Sequence, residues 1–153
     1  MVAPIASIAI IGLGKMGAPI ARHLVTAGFT VNGVDVNPAA LETARANKVE
    51  IAATPAQAAA QSDLTIVLTA YEHQVEEVIF GANGVAEGAR PGAIVAVAAT
   101  INPATHSAIA QRLEARGLIP LDIPICRGEG AAEAGKLLIT GGGDEEAFDR
   151  CRP

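Results

Sequence analysis

Three glycines near the amino terminus have the spacing of a phosphate-binding turn. Gly12, Gly14 and Gly17 follow an uninterrupted apolar run and open a segment whose apolar residues recur at helical spacing. In such a strand–turn–helix, the first glycine permits a tight turn and the second lets the backbone approach a diphosphate, while the third allows close helix packing. The helix amino terminus offers free N–H groups and partial positive charge to that anion. The predicted contacts are Gly12, Leu13, Gly14, Lys15, Met16 and Gly17.

Asp35 is the second residue that indicates a dinucleotide. It ends the second predicted strand, at the distance expected of a carboxylate that bonds the hydroxyls of an adenosine ribose. A carboxylate repels the 2′-phosphate of NADP, and the neighbouring Val36 and Asn37 bring no arginine to compensate. We therefore expect NAD as the cofactor and consider NADP less favoured. The alternative is a glycine-rich turn that binds no nucleotide.

The elements that must position these residues alternate between strand and helix along the chain. Strands are predicted over residues 7–11, 30–35, 49–52, 64–68, 93–98, 118–123 and 136–140. Helices are predicted over 15–27, 37–47 and 72–80, from 54, from 102 to 116, and from 144 onward to the chain end. Short links between them favour right-handed βαβ units. The predicted fold is a three-layer α/β domain of Rossmann type with a doubly wound, mainly parallel sheet, spanning residues 1–153.

Composition excludes several other classes of protein. Half of the residues are hydrophobic and only 18% are charged, so a full core is expected rather than disorder. Aromatic residues make up 3% and the net charge is -5, which argues against a nucleic-acid partner. No apolar run has the length of a membrane span, and the amino terminus lacks the pattern of a secretion signal. We expect a cytoplasmic protein without nucleic-acid or membrane partners.

Other reactive side chains suggest simpler roles. His23, His73 and His106 lie on or beside predicted helices at no metal-ligand spacing, so no metal site is predicted. Cys126 has no histidine near it in sequence to act as a base, which favours a loop-lining role. Thr100 is a polar residue just beyond a parallel strand, where cofactor contacts are expected.

The sequence resembles the β-hydroxyacid dehydrogenases over nearly its whole length. This family includes 3-hydroxyisobutyrate dehydrogenase, tartronate semialdehyde reductase and proteins of the 6-phosphogluconate dehydrogenase NAD-binding type. Residues 12–21, Gly-Leu-Gly-Lys-Met-Gly-Ala-Pro-Ile-Ala, resemble its opening signature, and residues 35–38 resemble the end of its second strand. Residues 100–103 are similar to its segment beside the nicotinamide, and residues 121–128, Leu-Asp-Ile-Pro-Ile-Cys-Arg-Gly, to its substrate loop.

The chain departs from this family in two segments that the resemblance assigns to the binding site. The family's Ser-Gly-Gly, which holds a substrate carboxylate, is replaced by Cys126, Arg127 and Gly128. A guanidinium there could grip a carboxylate, sulfonate or phosphate, as in the Gly-Arg-Thr variant of the sulfolactaldehyde reductases. The alternative is a surface arginine paired with Glu129 or Glu133. Thr69 stands where the family has a leucine, and we include it among the cofactor contacts.

The resemblance also implies a catalytic lysine and a helical domain that we do not find in this sequence. The family's lysine, which protonates the forming alkoxide, lies in a Gly-rich helix of a following domain. The lysines present are Lys15, Lys48 and Lys136, and none lies in such a motif. We therefore expect the cofactor half of an enzyme that acts on a small anionic aldehyde or hydroxy acid, inactive as this chain alone.

Two other hypotheses remain open at this point. A stand-alone dinucleotide-binding or sensor module would also lack the lysine. A Rossmann reductase of the ketopantoate type would explain the glycines, but it leaves residues 122–125 unexplained. An exposed apolar surface near residues 137–139 favours self-association, so a homodimer is expected.

Overall fold

A computed structural model gives the structure of residues 4–152, which form a sheet covered by helices on both faces. The strands of the main sheet are β1 (Ser7–Ile11), β2 (Thr30–Val34), β3 (Glu50–Ile51), β4 (Leu64–Val67), β5 (Ile94–Val97), β6 (Ile119–Asp122) and β9 (Gly142–Gly143). The strands β7 (Ile125–Cys126) and β8 (Leu138–Ile139) form a separate antiparallel pair. The helices are α1 (Gly17–Thr26), α2 (Pro38–Ala46), α3 (Pro55–Ala60), α4 (Glu72–Phe80), α5 (Val85–Gly88), α6 (Pro103–Glu114), α7 (Gly128–Glu133) and α8 (Glu145–Arg150).

The strand order is β3-β2-β1-β4-β5-β6-β9, and every pairing is parallel except that of β6 with β9. The chain reverses its direction of winding between β1 and β4, so the loops that leave these two strands diverge. A crevice forms at the carboxyl edge of the sheet at this point, which is where open α/β sheets bind ligands. The doubly wound, mainly parallel sheet predicted from the sequence is thus confirmed.

Side chains alternate along the strands between two apolar cores. In β1, Ile8 and Ile10 join the core beneath α1, α2 and α8, whereas Ala9 and Ile11 join the core beneath α3, α4, α5 and α6. Ala58 and Ala59 are fully buried, which lets α3 approach the sheet closely. The strands are therefore buried on both faces, as a parallel sheet requires.

The predicted starts of the helices agree with observed caps. Asn37 and Asn102 accept hydrogen bonds from Ala39 and Ala104, at 3.0 and 2.9 Å, and Thr54 accepts from Gln57 at 3.2 Å. A proline follows each of the three as the first helical residue. The caps satisfy N–H groups that lack partners within the helix.

The carboxyl-terminal third differs most from the predicted elements. The polar segment after Cys126 contains helix α7, and the glycines at 142 and 143 form strand β9, neither of which was predicted. The strand expected over residues 136–140 is reduced to Leu138–Ile139. Helix α8 ends at Arg150 with Cys151 as its cap, so the expectation of a helix that continues to the chain end was wrong. Glycine-rich sequence carries little periodicity, and β9 forms by pairing with β6.

None of the helices in the described residues combines the length and the apolar character that crossing a bilayer requires.

Candidate functional site

The glycine turn is held tightly against its neighbours at both ends. Gly12 has a φ of 104°, and a Cβ there would lie 2.6 Å from the carbonyl oxygen of Leu68, which directly follows the adjacent strand β4. A Cβ on Gly17 would overlap the carbonyl oxygen of Gly12. Both positions therefore require glycine, the first for its backbone conformation as well as its size. The turn and the start of α1 are fixed in position above β1.

Gly14 differs, because the space beside its Cα is open. A Cβ built on Gly14 would meet no heavy atom within 4 Å. Among the described residues, no protein acceptor takes a hydrogen bond from the backbone N–H of Gly14, Lys15 or Met16. No side chain caps the start of α1, and its first turn contains no acidic residue. The turn thus presents unpaired donors at the positive end of a helix, and these fit a diphosphate.

Asp35 lies directly beside this turn. One carboxylate oxygen accepts the N–H of Leu13 at 2.7 Å, and the other accepts the N–H of Asn37 at 2.8 Å. The side chain is therefore oriented toward the crevice, and each oxygen keeps a lone pair for a further donor. The next residue, Val36, is 99% exposed and offers an apolar surface to a ligand. These features fit the adenosine end of a dinucleotide.

The opposite wall of the crevice carries two threonines. Thr69 follows β4, and its hydroxyl is buried without a hydrogen-bond partner among the described residues. Thr100 lies beyond β5 and is exposed. Since β4 and β5 pair in parallel, both residues lie at the same edge of the sheet. An unpaired buried hydroxyl is costly, so its presence beside the crevice supports an external partner.

The predicted substrate loop begins at β7, and helix α7 after it packs against α1. Arg22 in α1 pairs with Glu133 in α7 at 2.8 Å, and the ring of His23 contacts the Glu133 carbonyl oxygen at 3.0 Å. Lys15 in the glycine turn lies 3.5 Å from Glu129, and both side chains are largely exposed. Helix α7, which directly follows residues 126 and 127, therefore lies against α1 and the glycine turn.

Arg127 has the unusual conformation in this loop. Its φ is 79°, in the left-handed region that few non-glycine residues occupy, and Gly128 follows with a φ of 71°. The guanidinium donates to the carbonyl oxygen of Lys136 at 3.4 Å. Glu129 and Glu133, the partners weighed for Arg127 from the sequence, pair instead with Lys15 and Arg22. Cys126 beside it is exposed.

The remaining candidates fall outside the crevice or are structural. In the described part of the chain, no group of three metal-ligating side chains comes together. His73 stacks on Tyr71 at 5.8 Å, and His106 lies 3.9 Å from Asp122. Glu72 bridges two loops of the crevice, and sequence reasoning missed it because its partners lie 30 and 33 residues away.

The strand order, the glycine turn and the carboxylate after β2 define a Rossmann-type, dinucleotide-binding α/β domain. Residues 7–153 match the family described as the NAD binding domain of 6-phosphogluconate dehydrogenase. The chain belongs to that family.

Relatives of known activity agree with this family. The chain is 37% identical to L-threonate dehydrogenase of Cupriavidus necator, an alignment that covers 93% of this chain and 48% of that protein. It is 36% identical to 3-sulfolactaldehyde reductase of Escherichia coli, covering 97% of this chain and 50% of the relative. The structure of Mycobacterium tuberculosis 3-hydroxyisobutyrate dehydrogenase with L-serine superimposes with a TM-score of 0.92 at 32% identity, covering 97% and 50% of the two chains. The chain spans about half the length of the curated relatives it matches.

Proposed function

We propose that residues 1–153 form the cofactor-binding half of a dehydrogenase, ending before the family's helical domain. The complete enzyme would pass a hydride between a nicotinamide cofactor and a small anionic hydroxy acid or semialdehyde. The observation that carries this proposal is the open, donor-lined space at Gly14 beside the oriented carboxylate of Asp35. A glycine-rich turn without a ligand would have no need of both features.

Each part of the crevice has a role in this proposal. The N–H groups of the glycine turn hold the diphosphate, and Asp35 accepts hydrogen bonds from the adenosine ribose. Val36 and Asn37 border the adenosine, while Thr69 and Thr100 border the nicotinamide. The cofactor supplies the hydride acceptor or donor, and the chain binds and orients it. The charge of Asp35 favours NAD over NADP.

The loop at Cys126, Arg127 and Gly128 is proposed to hold the anionic end of the substrate. The Arg127 guanidinium makes one long hydrogen bond, to a carbonyl oxygen, and is recorded in no ion pair of residues 4–152. Its donors therefore remain available to a carboxylate or a sulfonate. Relatives whose names specify threonate and sulfolactaldehyde act on small molecules of this kind, which supports the assignment.

We further propose that proton transfer to the substrate requires a group outside this chain. Lys15 is paired with Glu129, Lys48 is exposed beyond α2, and Lys136 is exposed and contacts Arg127 through its backbone carbonyl oxygen. The chain alone is expected to bind NAD weakly and to show no turnover. Steady reduction of a small aldehyde such as glyoxylate by the pure chain would contradict this.

A cytoplasmic location and the absence of nucleic-acid partners stay predictions from composition.

Calorimetric titration with NAD and NADP tests the proposal. We expect NAD to bind at least about tenfold more tightly than NADP, because the charge of Asp35 would repel the 2′-phosphate of NADP.

Gly14→Ala should weaken NAD binding by about tenfold or more, because its methyl group enters open space that the diphosphate needs. It should leave the melting temperature unchanged.

Gly130→Ala is the matched control for this substitution. Gly130 is exposed in α7, and a Cβ there also meets no heavy atom within 4 Å. It should leave NAD affinity unchanged. Equal NAD affinity of the wild-type and Gly14→Ala proteins would show that no diphosphate binds at this turn.

A further inference from the structure

Glu72, the first residue of α4, joins two loops that frame the crevice. One carboxylate oxygen accepts the backbone N–H of Asn102 at 2.8 Å, and the other accepts the hydroxyl of Thr105 at 2.6 Å. Asn102 caps α6 and Thr105 lies in its first turn, so the carboxylate bridges the amino termini of two helices. The positive ends of both helix dipoles favour a negative charge at this place.

The bridged loops carry the two threonines of the nicotinamide wall. The loop between β4 and α4 contains Thr69, and the loop between β5 and α6 contains Thr100. Within the first loop, the Gln74 side chain accepts the N–H groups of Ala70 and Tyr71, each at 3.2 Å. Gln74 thus orders one loop, whereas Glu72 connects the two.

The carboxylate is held in its charged form by the same contacts. The hydrogen bonds from Thr105 and from the Asn102 backbone lower the pKa of Glu72 below its ordinary value. At neutral pH the side chain is ionised, as a glutamate of ordinary pKa also is, and it accepts hydrogen bonds at both oxygens. None of its recorded contacts involves the glycine turn or Asp35, which lie on the adenosine side.

We propose that Glu72 is a positioning residue that sets the spacing of Thr69 and Thr100 for the nicotinamide half of the dinucleotide. This inference rests on the proposed function. It has a specific consequence, because the two halves of the ligand contact different loops. Loss of Glu72 should weaken binding of the whole dinucleotide but not of a ligand that ends at the diphosphate.

Titration of the wild-type chain and of variants with NAD and with ADP tests the proposal. Glu72→Ala is expected to weaken NAD binding about five- to tenfold and to leave ADP affinity unchanged, since two hydrogen bonds that position the wall are lost. Glu72→Gln keeps one acceptor oxygen and should have a smaller effect. Thr105→Val removes the hydroxyl partner alone, and combining it with Glu72→Ala should add nothing to Glu72→Ala.

Glu76→Ala is the matched control. Glu76 lies one turn further along α4 and also contacts α6, through Arg112 at 3.5 Å, but away from the crevice. It should leave affinity for both ligands unchanged. If Glu76→Ala weakened NAD binding as much as Glu72→Ala, the effect would be one of helix packing and the proposal would be wrong.

The remaining outcomes are equally decisive. Unchanged NAD affinity in Glu72→Ala, or an equal loss of NAD and ADP affinity, would overturn the positioning role. If Glu72→Ala fails to fold, Thr105→Val supplies the same comparison of NAD with ADP. A wild-type chain that binds neither NAD nor ADP would overturn the proposed function itself, and the present inference with it.

Discussion

Gly14 and Gly17 belong to the same turn but have different physical reasons to be glycine. At Gly17 the protein itself excludes a side chain, because a Cβ would overlap the Gly12 carbonyl oxygen. At Gly14 the protein itself leaves room, so the limit would come from a ligand. The sequence motif does not distinguish these two causes, and the geometry does.

Gly17→Ala is therefore expected to destabilise the fold. The turn must shift to relieve the overlap, at a cost of about 3 kcal/mol in the free energy of unfolding. Chemical denaturation followed by circular dichroism measures this. Gly14→Ala is the control and should unfold at the wild-type midpoint. A wild-type midpoint for Gly17→Ala would mean that the start of α1 packs less closely than it does in this structure.

The two cysteines should differ in reactivity toward alkylating reagents. Cys126 is exposed at the end of β7, whereas Cys151 is partly buried after α8. Burial raises the pKa of the Cys151 thiol, although the charge of Arg150 opposes this effect. Near neutral pH, a smaller fraction of Cys151 is therefore in the reactive thiolate form than of a cysteine with an ordinary pKa. Mass spectrometry after brief iodoacetamide treatment should show modification of Cys126 first, and faster modification of Cys151 would contradict the burial.

Among the elements, β1 and β4 are joined at their amino ends by one carboxylate. Asp63 accepts the N–H groups of Ala6 and Ser7, both at 3.0 Å, and the Ser7 hydroxyl at 2.9 Å. Arg90 pairs with its second oxygen at 3.1 Å. Burial by itself raises the pKa of Asp63, but these hydrogen bonds and the Arg90 charge outweigh it and lower the pKa. This edge of the sheet is opposite the crevice, so Asp63 contributes to stability rather than to binding.

Asp63→Asn should reduce the free energy of unfolding by roughly 1–3 kcal/mol at neutral pH, because an amide cannot replace a charged acceptor of four donors. The pKa is lower in the folded than in the unfolded protein. The stabilisation is therefore present above the unfolded value and is lost as the pH falls below about 4, through the folded value. Denaturation at several pH values measures this: the difference in the free energy of unfolding between variant and wild type should shrink over that range.

Asp149→Asn is the control for Asp63→Asn, since it removes an exposed pair with Arg152 at 3.6 Å. It should change stability by less than about 0.5 kcal/mol. NAD affinity should be the same in both variants. A loss of NAD affinity in Asp63→Asn would show that the amino edge and the crevice are coupled.

At the scale of the whole molecule, apolar surface is concentrated at the β7–β8 pair. Leu138 and Ile139 are 45% and 50% exposed, and Ile139 borders an apolar groove of about 560 Å³ against α1 and α8. Exposed apolar surface of this kind favours association. We expect a homodimer in concentrated solution, to be measured by analytical ultracentrifugation.

The double variant Leu138→Ser with Ile139→Ser should shift this equilibrium toward the monomer. Tyr71→Ser removes a comparably exposed side chain at the carboxyl edge of the sheet and should leave the association unchanged. A monomeric mass for the wild type at high concentration would rule out self-association through this surface.

The sequence by itself determined the elements and the class of site. Apolar runs, proline after capping residues and the glycine spacing are local signals, so the parallel sheet, the helix starts and the turn at residues 12–17 were predictable. Asp35 was predictable too, because its position depends only on the length of one βαβ unit. The two elements that were missed, α7 and β9, lie in glycine-rich segments that carry no periodic signal, and the strand over 136–140 and the last helix were both predicted too long.

The tertiary structure alone decided which charges meet. Glu129 pairs with Lys15 and Glu133 with Arg22, which leaves Arg127 free of the carboxylates nearest to it in sequence. Glu72 reaches Asn102 and Thr105 only because β4 and β5 are adjacent and their loops leave the same edge. Such contacts depend on strand order, which brings together segments far apart in sequence and which no single segment of the chain specifies.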